Sequence, residues 1–210
     1  VVDFGQNAAA VPAFLFKADE GTVLTALPAE MLNDNGGLKS RGNDGPEGSV
    51  YRQNLRKLWH DGAIAEYTFA GKGVERYRPR FTFYGYRYVK VEGVDIDPAD
   101  FTGVALYSDF DAERGRVVTG HAKVNQLISN ARWGMKGNFL DTATDCPQRD
   151  ERMGWTGDAN VFSRTALLLA APYAFYRKYL FDMALEQASI GGAVPMVVPS
   201  YGLKGAPAVW

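Results

Sequence analysis

The chain has 210 residues, of which 46% are hydrophobic and 22% charged, with a net charge of −1. That balance excludes wholesale disorder, and its mixed signs exclude the basic patch that a nucleic acid or an anionic membrane would call for. No apolar run reaches the roughly 18 residues of a transmembrane helix, and a single cysteine, Cys146, rules out an intrachain disulfide and a cysteine-based zinc cluster.

The chain opens at Val1 without Met, on VVDFGQN, which already reads as strand, and stops at Trp210; both ends read as cut. Residues 1 to about 110 read as β. VPAFLFKA (11–18) and TVLTALPAEML (22–32) mix β-branched, aromatic and small residues with partial alternation. NDNGG (33–37) is turn chemistry, and SRGNDGPEGS (40–49) a loop rich in Gly and Asp. RFTFYGYRYVKVEG (80–93) is the clearest strand. Phe81, Phe83, Val89 and Val91 fall on one face, Tyr84, Tyr86, Tyr88 and Lys90 on the other, and Gly85 suggests a bulge or bend. DIDPAD (95–100) lacks the Gly and Glu of a calcium loop and reads as a solvated turn. These strands predict a β-sandwich-like domain.

The period changes after about residue 112. Val124, Leu127, Ile128, Ala131 and Met135 follow i, i+3, i+4 spacing and predict an amphipathic helix over 120–137. Asp158 is placed to cap a second helix, 159–171, whose apolar end predicts deep burial. Pro172 suits the first turn of a third, with a stripe of Tyr176, Tyr179, Leu180 and Met183. GGAVPMVVPSYG (191–202) is irregular. The division is therefore a β domain over 1–112 and a helical one over 113–210. Three helices cannot close a core around so apolar a second helix, so the last helices should expose an apolar stripe and associate, which points to a homo-oligomer.

Between the first two helices lies DTATDCPQRDERMGWTGD (141–158), with five carboxylates, two arginines, Cys146 and Trp155. The plain reading is a solvated loop held by Asp–Arg pairs. The stretch is longer than the about 2–8 residues usual for a helix–helix connection, and its neighbours are apolar, so part of it is expected to be recessed. Recessed carboxylates pair, bind something or hold a proton. Arg149 and Arg152 can keep some acids ionised, and a carboxyl beside Trp155 loses solvation and gains the raised pKa of a general acid. Acids with an indole, and no metal or phosphate loop, suggest carbohydrate.

DCPQRDERMGWTGDANVF (145–162) closely resembles the signature of bacterial α-L-rhamnosidases, glycoside hydrolase family 78. VVDFGQN, AEMLNDNG and PRFTFYGYRYVKVEG are similar to the β-domain preceding that family's catalytic domain. NQLISNARWGMKGNFLDTATDCPQRDER resembles the entry to its (α/α)6 barrel, and GGAVPMVVPSYG a later barrel loop. The fold class implied is a β-sandwich-like domain followed by the first helices of an (α/α)6 barrel. The function implied is removal of terminal α-L-rhamnosyl groups from glycosides or polysaccharides, with inversion and without a cofactor or metal. By the same resemblance Glu151 is the general acid. Asp145, Arg149, Trp155 and Asp158 line the sugar pocket, with Trp210 at the place of another pocket tryptophan. The family's general base has no match in these residues, and GQNAAAV lacks the glycine that often follows GQN. Two alternatives stay open: a non-catalytic carbohydrate-binding or structural segment, and a related barrel glycosidase acting on another sugar.

Other candidates read as structural. His60 lies in a polar turn and His121 opens a helix as a surface or capping residue. Cys146 has no His partner, no nucleophile-elbow motif accompanies the histidines, and GKG (71–73) is too short for a phosphate loop. Tyr84, Tyr86 and Tyr88 read as cross-strand packing ahead of a sugar-stacking strip.

Overall fold

The computed structural model describes residues 1–34, 43–52, 63–110, 114–149, 151–200 and 207–209. His60 and Trp210 therefore lie outside the described residues, as do parts of the turns predicted at 33–37 and 40–49. The chain forms two compact units, Val1–Leu106 with Gln148–Asp150, and Tyr107–Pro147 with Glu151–Trp210.

The first unit holds β1 (Val2–Lys17), β2 (Val23–Ala29), β3 (Met31–Leu32), β4 (Val50–Tyr51), β5 (Ala65–Thr68), β6 (Val74–Tyr77), β7 (Tyr84–Glu92) and β8 (Phe101–Ala105). All pairs are antiparallel, in the order β5-β2-β7-β1-β6, with β8 also on β1 and β3-β4 apart. β1 is 16 residues long and is used on both edges. Ala10 faces Tyr84 and Ala105, and Phe14 faces Tyr77 and Phe101. Thus β7 and β6 follow one another along one edge, and β8 takes the other.

The sheet curls until its outer strands meet through side chains. Tyr67 of β5 and Tyr77 of β6 have ring centroids 4.6 Å apart, and the Tyr67 hydroxyl donates to Glu75 of β6 at 2.7 Å. Phe14 sits inside, 5.3–5.8 Å from the rings of Tyr67, Phe69, Tyr77 and Phe101. Ala8, Ala9, Ala10 and Val11 are all buried, so this part of β1 is covered on both faces. Small side chains there let the curled sheet close over itself. The result is the sandwich-like packing the strands predict.

Two local expectations are corrected. Gly85 pairs in register with Ala9, and the bulge lies in β1 instead. From Asp3 to Ala8 β1 advances five residues while β7 moves two, Tyr88 to Tyr86. Gly5 takes φ +75 there and donates its N–H to Asp3, whose carboxylate is paired with Arg87 at 2.8 Å. Phe81 does not share a strand face with Val89. It precedes β7, has φ 60 and is fully exposed. Tyr86 is buried edge-on against Phe4, as cross-strand packing requires. DIDPAD forms a solvated 3-10 turn in which Asp97 accepts from the Ala99 N–H at 2.9 Å. Asn33, buried, donates to Asp44 and Ser49, each at 2.9 Å, and so fastens the loop before β4.

The second unit holds α1 (Ala122–Asn138), α2 (Thr156–Leu169) and α3 (Tyr173–Ser189). His121 precedes α1 and makes no side-chain cap; the turn is closed by Thr119 donating to the Asn125 side chain. α2 starts earlier than predicted, and Asp158 is not its cap. Trp155 holds that position without a side-chain capping bond, and Asp158 lies in the exposed first turn, where a carboxylate favours the helix dipole. The three helices bury Met135, Phe139, Ala159, Ala166, Phe175 and Tyr179 in one cluster, with Phe139 and Phe175 stacked 4.2 Å apart.

Deep burial of the end of α2 is observed on one face only. Leu167 and Leu168 are exposed, the latter by 74%, whereas Ala166 and Ala170 on the other side join the cluster and Leu169 is buried. The α3 stripe is not left open as expected: Tyr179 is buried and Tyr176 and Met183 pack against the cluster, so of its four members only Leu180 is exposed, as is Leu127 on α1. Among the described residues no helix is long and apolar enough to cross a membrane, and no group of three or more His, Cys, Asp or Glu could hold a metal ion.

Candidate functional site

The charged stretch 141–158 is built as a closed excursion between α1 and α2. At its start, Thr144 donates its N–H and its hydroxyl to the Asn138 carbonyl, both at 3.0 Å, which ends α1. Asp141 takes φ 116, donates its N–H to Ser108 and pairs its carboxylate with Lys178 of α3 at 2.9 Å. The excursion is zipped at its neck. Asp145 donates its N–H to the Met153 carbonyl at 3.0 Å and accepts the Met153 N–H on Oδ1 at 2.9 Å. Inside that pair Cys146, buried, accepts the Arg152 N–H on Sγ at 3.4 Å. Burial and this bond give Cys146 a place in the packing of the neck.

Beyond the neck the chain is pressed against the 195–198 segment. Gly154 accepts the Val198 N–H at 2.9 Å and the Tyr179 hydroxyl at 2.9 Å, and Thr142 donates to the Val198 carbonyl at 3.0 Å. A Cβ at Gly154 would sit 2.2 Å from the Val198 carbonyl oxygen, so glycine is required by space. Trp155 bridges to Val197. Thr156, buried, donates its N–H to Met196 and its hydroxyl to Pro195, at 2.9 and 2.8 Å. These two bonds draw the start of α2 forward to Thr156.

Asp145 and Asp158 are brought together. Both line a cavity of about 570 Å³ between α1 and α2, with Asn138 and Thr144 as further polar groups and Met135, Phe139 and Phe162 as apolar wall. Two carboxylates, an amide and a hydroxyl over an aromatic floor suit a neutral polyol. Glu151 and Trp155 are half-buried and are not among that cavity's lining residues. Arg149 is half-buried and is counted with the first unit. Gly154, Thr156 and the Tyr179 hydroxyl, which hold the excursion, are missed by periodicity. Tyr179 falls on the predicted apolar stripe of α3, and helical spacing does not say that its ring is buried or that its hydroxyl donates a hydrogen bond.

Residues 1–107 match the bacterial alpha-L-rhamnosidase concanavalin-like domain, and residues 112–210 the bacterial alpha-L-rhamnosidase 6 hairpin glycosidase domain. The chain belongs to the bacterial α-L-rhamnosidase family. An alpha-L-rhamnosidase of Formosa agariphila is 39% identical over 203 residues, 95% of this chain and 20% of that protein. The crystal structure of a Streptomyces avermitilis alpha-L-rhamnosidase complexed with L-rhamnose matches with a TM-score of 0.84 and 38% identity, over 97% of this chain and 18% of that one. Native rhamnosidase from Aspergillus terreus matches with 0.82 and 33%, over 94% and 21%. The chain thus spans about a fifth of the length of these relatives. A curled β domain followed along the chain by three helices is the fold class expected for this family.

Proposed function

We propose that this chain serves the hydrolysis of terminal α-L-rhamnosyl groups from glycosides or polysaccharides, by inversion, and that it carries the general-acid loop of that reaction. The observation that carries the reading is the match of both stretches of the chain to rhamnosidase domains, with Asp145 and Asp158 lining one cavity. In this reading residues 1–112 form the β domain and 113–210 open the catalytic one.

Glu151 gives its proton to the glycosidic oxygen as the bond from that oxygen to the anomeric carbon breaks. Water attacks the opposite face of that carbon and loses a proton to a second carboxylate, about 6.5–9.5 Å from the first in inverting enzymes. That base is not assigned to a residue of this chain. Asp145, Arg149 and Asp158 bond sugar hydroxyls, Trp155 packs on the C–H face of the ring, and Trp210 stands at the place of another pocket tryptophan. The zipped neck supports the role of Glu151, because it restricts the residues beside that carboxyl before substrate arrives.

The test uses a protein that carries this chain at the length of its relatives. Glu151→Gln is expected to lower turnover of methyl α-L-rhamnoside by about 10²–10⁴-fold, the usual share of a general acid. Unchanged turnover contradicts the assignment.

A further inference from the structure

We infer that Tyr179 is a positioning residue for the acidic loop, acting through its hydroxyl on the Gly154 carbonyl; this rests on the function proposed above. Tyr179 is 1% exposed, and its hydroxyl lies 2.9 Å from that carbonyl in a buried bond. Its ring depth is set independently, because Phe175, one turn earlier on α3, stacks on Phe139. The hydroxyl therefore arrives at Gly154 from a fixed platform.

Gly154 is the residue from which both halves of the candidate site are indexed. On one side Met153 is tied twice to Asp145, and the excursion that holds Glu151 hangs from that tie. On the other side Trp155 and Asp158 follow directly at the start of α2. The Gly154 carbonyl takes two donors, Tyr179 and the Val198 N–H, and Val198 is bonded in turn by Thr142. Phenylalanine would fill the same volume and satisfy the core. What tyrosine adds is a buried donor aimed at the one backbone group shared by both halves. A buried donor is retained where its partner is fixed, since losing that partner leaves it unsatisfied.

Tyr179→Phe is compared with Tyr176→Phe, which removes the neighbouring buried hydroxyl that has no hydrogen-bond partner among the described residues. In the 210-residue chain, Tyr179→Phe should speed hydrogen exchange of the Asp145, Met153 and Val198 amides by about fivefold to tenfold, one net hydrogen bond. The β-unit amides and those of mid α1 should keep their rates, and Tyr176→Phe should leave the loop amides unchanged. At the length of the relatives, Tyr179→Phe should lower kcat on methyl α-L-rhamnoside about tenfold with KM within about twofold, and should add little to Glu151→Gln. Unchanged loop exchange, equal acceleration across all helices, or an unchanged kcat in an active protein each overturns the role. Absence of rhamnosidase activity in the unsubstituted protein is the separate failure of the function, and loop exchange then decides Tyr179 alone.

Discussion

Gly154→Ala is the sharpest test of how the acidic loop is packed. The added methyl would meet the Val198 carbonyl oxygen at 2.2 Å, the Thr142 hydroxyl at 2.4 Å and the Tyr179 ring at 3.3 Å. The first of these is backbone and cannot rotate away. Val198 must withdraw by about 1 Å before ordinary van der Waals distance is restored. That withdrawal strains a packed core by about 1–3 kcal/mol. It also weakens the Val198 N–H bond to Gly154 and the Thr142 bond to Val198, each contributing about 0.5–1.5 kcal/mol. Loss of glycine's freedom in the unfolded chain returns about 0.4–1 kcal/mol. The net is about 3 kcal/mol of destabilisation. Hydrogen exchange read by mass spectrometry should show peptides of α2 and α3 exchanging about a hundredfold faster, with β-unit peptides unchanged. Protection within about twofold of the parent chain would refute the packing argument.

Two further outcomes follow from the helical unit and one from the β unit. Thr156→Val keeps shape but leaves the Pro195 carbonyl without its 2.8 Å donor, and should cost about 1–3 kcal/mol in urea unfolding, whereas Thr156→Ser should recover most of it. Burial pushes the Tyr176 hydroxyl up to about 12 from its ordinary value near 10. Because the folded value is the raised one, this contribution to stability is complete below about pH 10 and is lost as pH rises toward 12. Thermal unfolding should show a loss over that window which Tyr176→Phe reduces. Asp3 is held below the usual carboxylate range by its bond to Arg87, so its contribution is present above about pH 4 and lost on acidification. Asp3→Asn should flatten the acid limb of the unfolding curve slightly, because the pair is exposed.

The legible parts of the molecule are those governed by period and by local chemistry. The spacing of Val124 to Met135 predicts α1 to within two residues, because a 3.6-residue repeat is a property of the helix itself. DIDPAD gives a turn because Asp97 and Pro98 act on their own neighbours. What escapes is set by distant partners. Thr156 enters α2 because Pro195 and Met196 accept from it, about forty residues away. The bulge lies at Asp3–Ala8 because of register against β7, and Gly85 in the partner strand marks it only indirectly. The exposed Leu168 follows from which face of α2 meets Phe139 and Tyr179, which apolar content alone does not decide. Within the site, the burial of Cys146 and the partial burial of Asp145, Arg149 and Glu151 are legible from the apolar neighbours of the charged stretch. The Asp145–Met153 neck that closes it is a backbone event with no side-chain signature at Met153.

The proposed donation of a proton by Glu151 is the central claim, and leaving-group dependence tests it most directly. In a protein carrying this chain at the length of its relatives, Glu151→Gln is assayed on p-nitrophenyl and methyl α-L-rhamnoside. Nitrophenolate leaves without protonation, whereas methoxide needs the proton, so the account predicts a loss at least tenfold larger on the methyl glycoside, within the about 10²–10⁴-fold range of a general acid. Equal losses on the two substrates, or none on either, would contradict it.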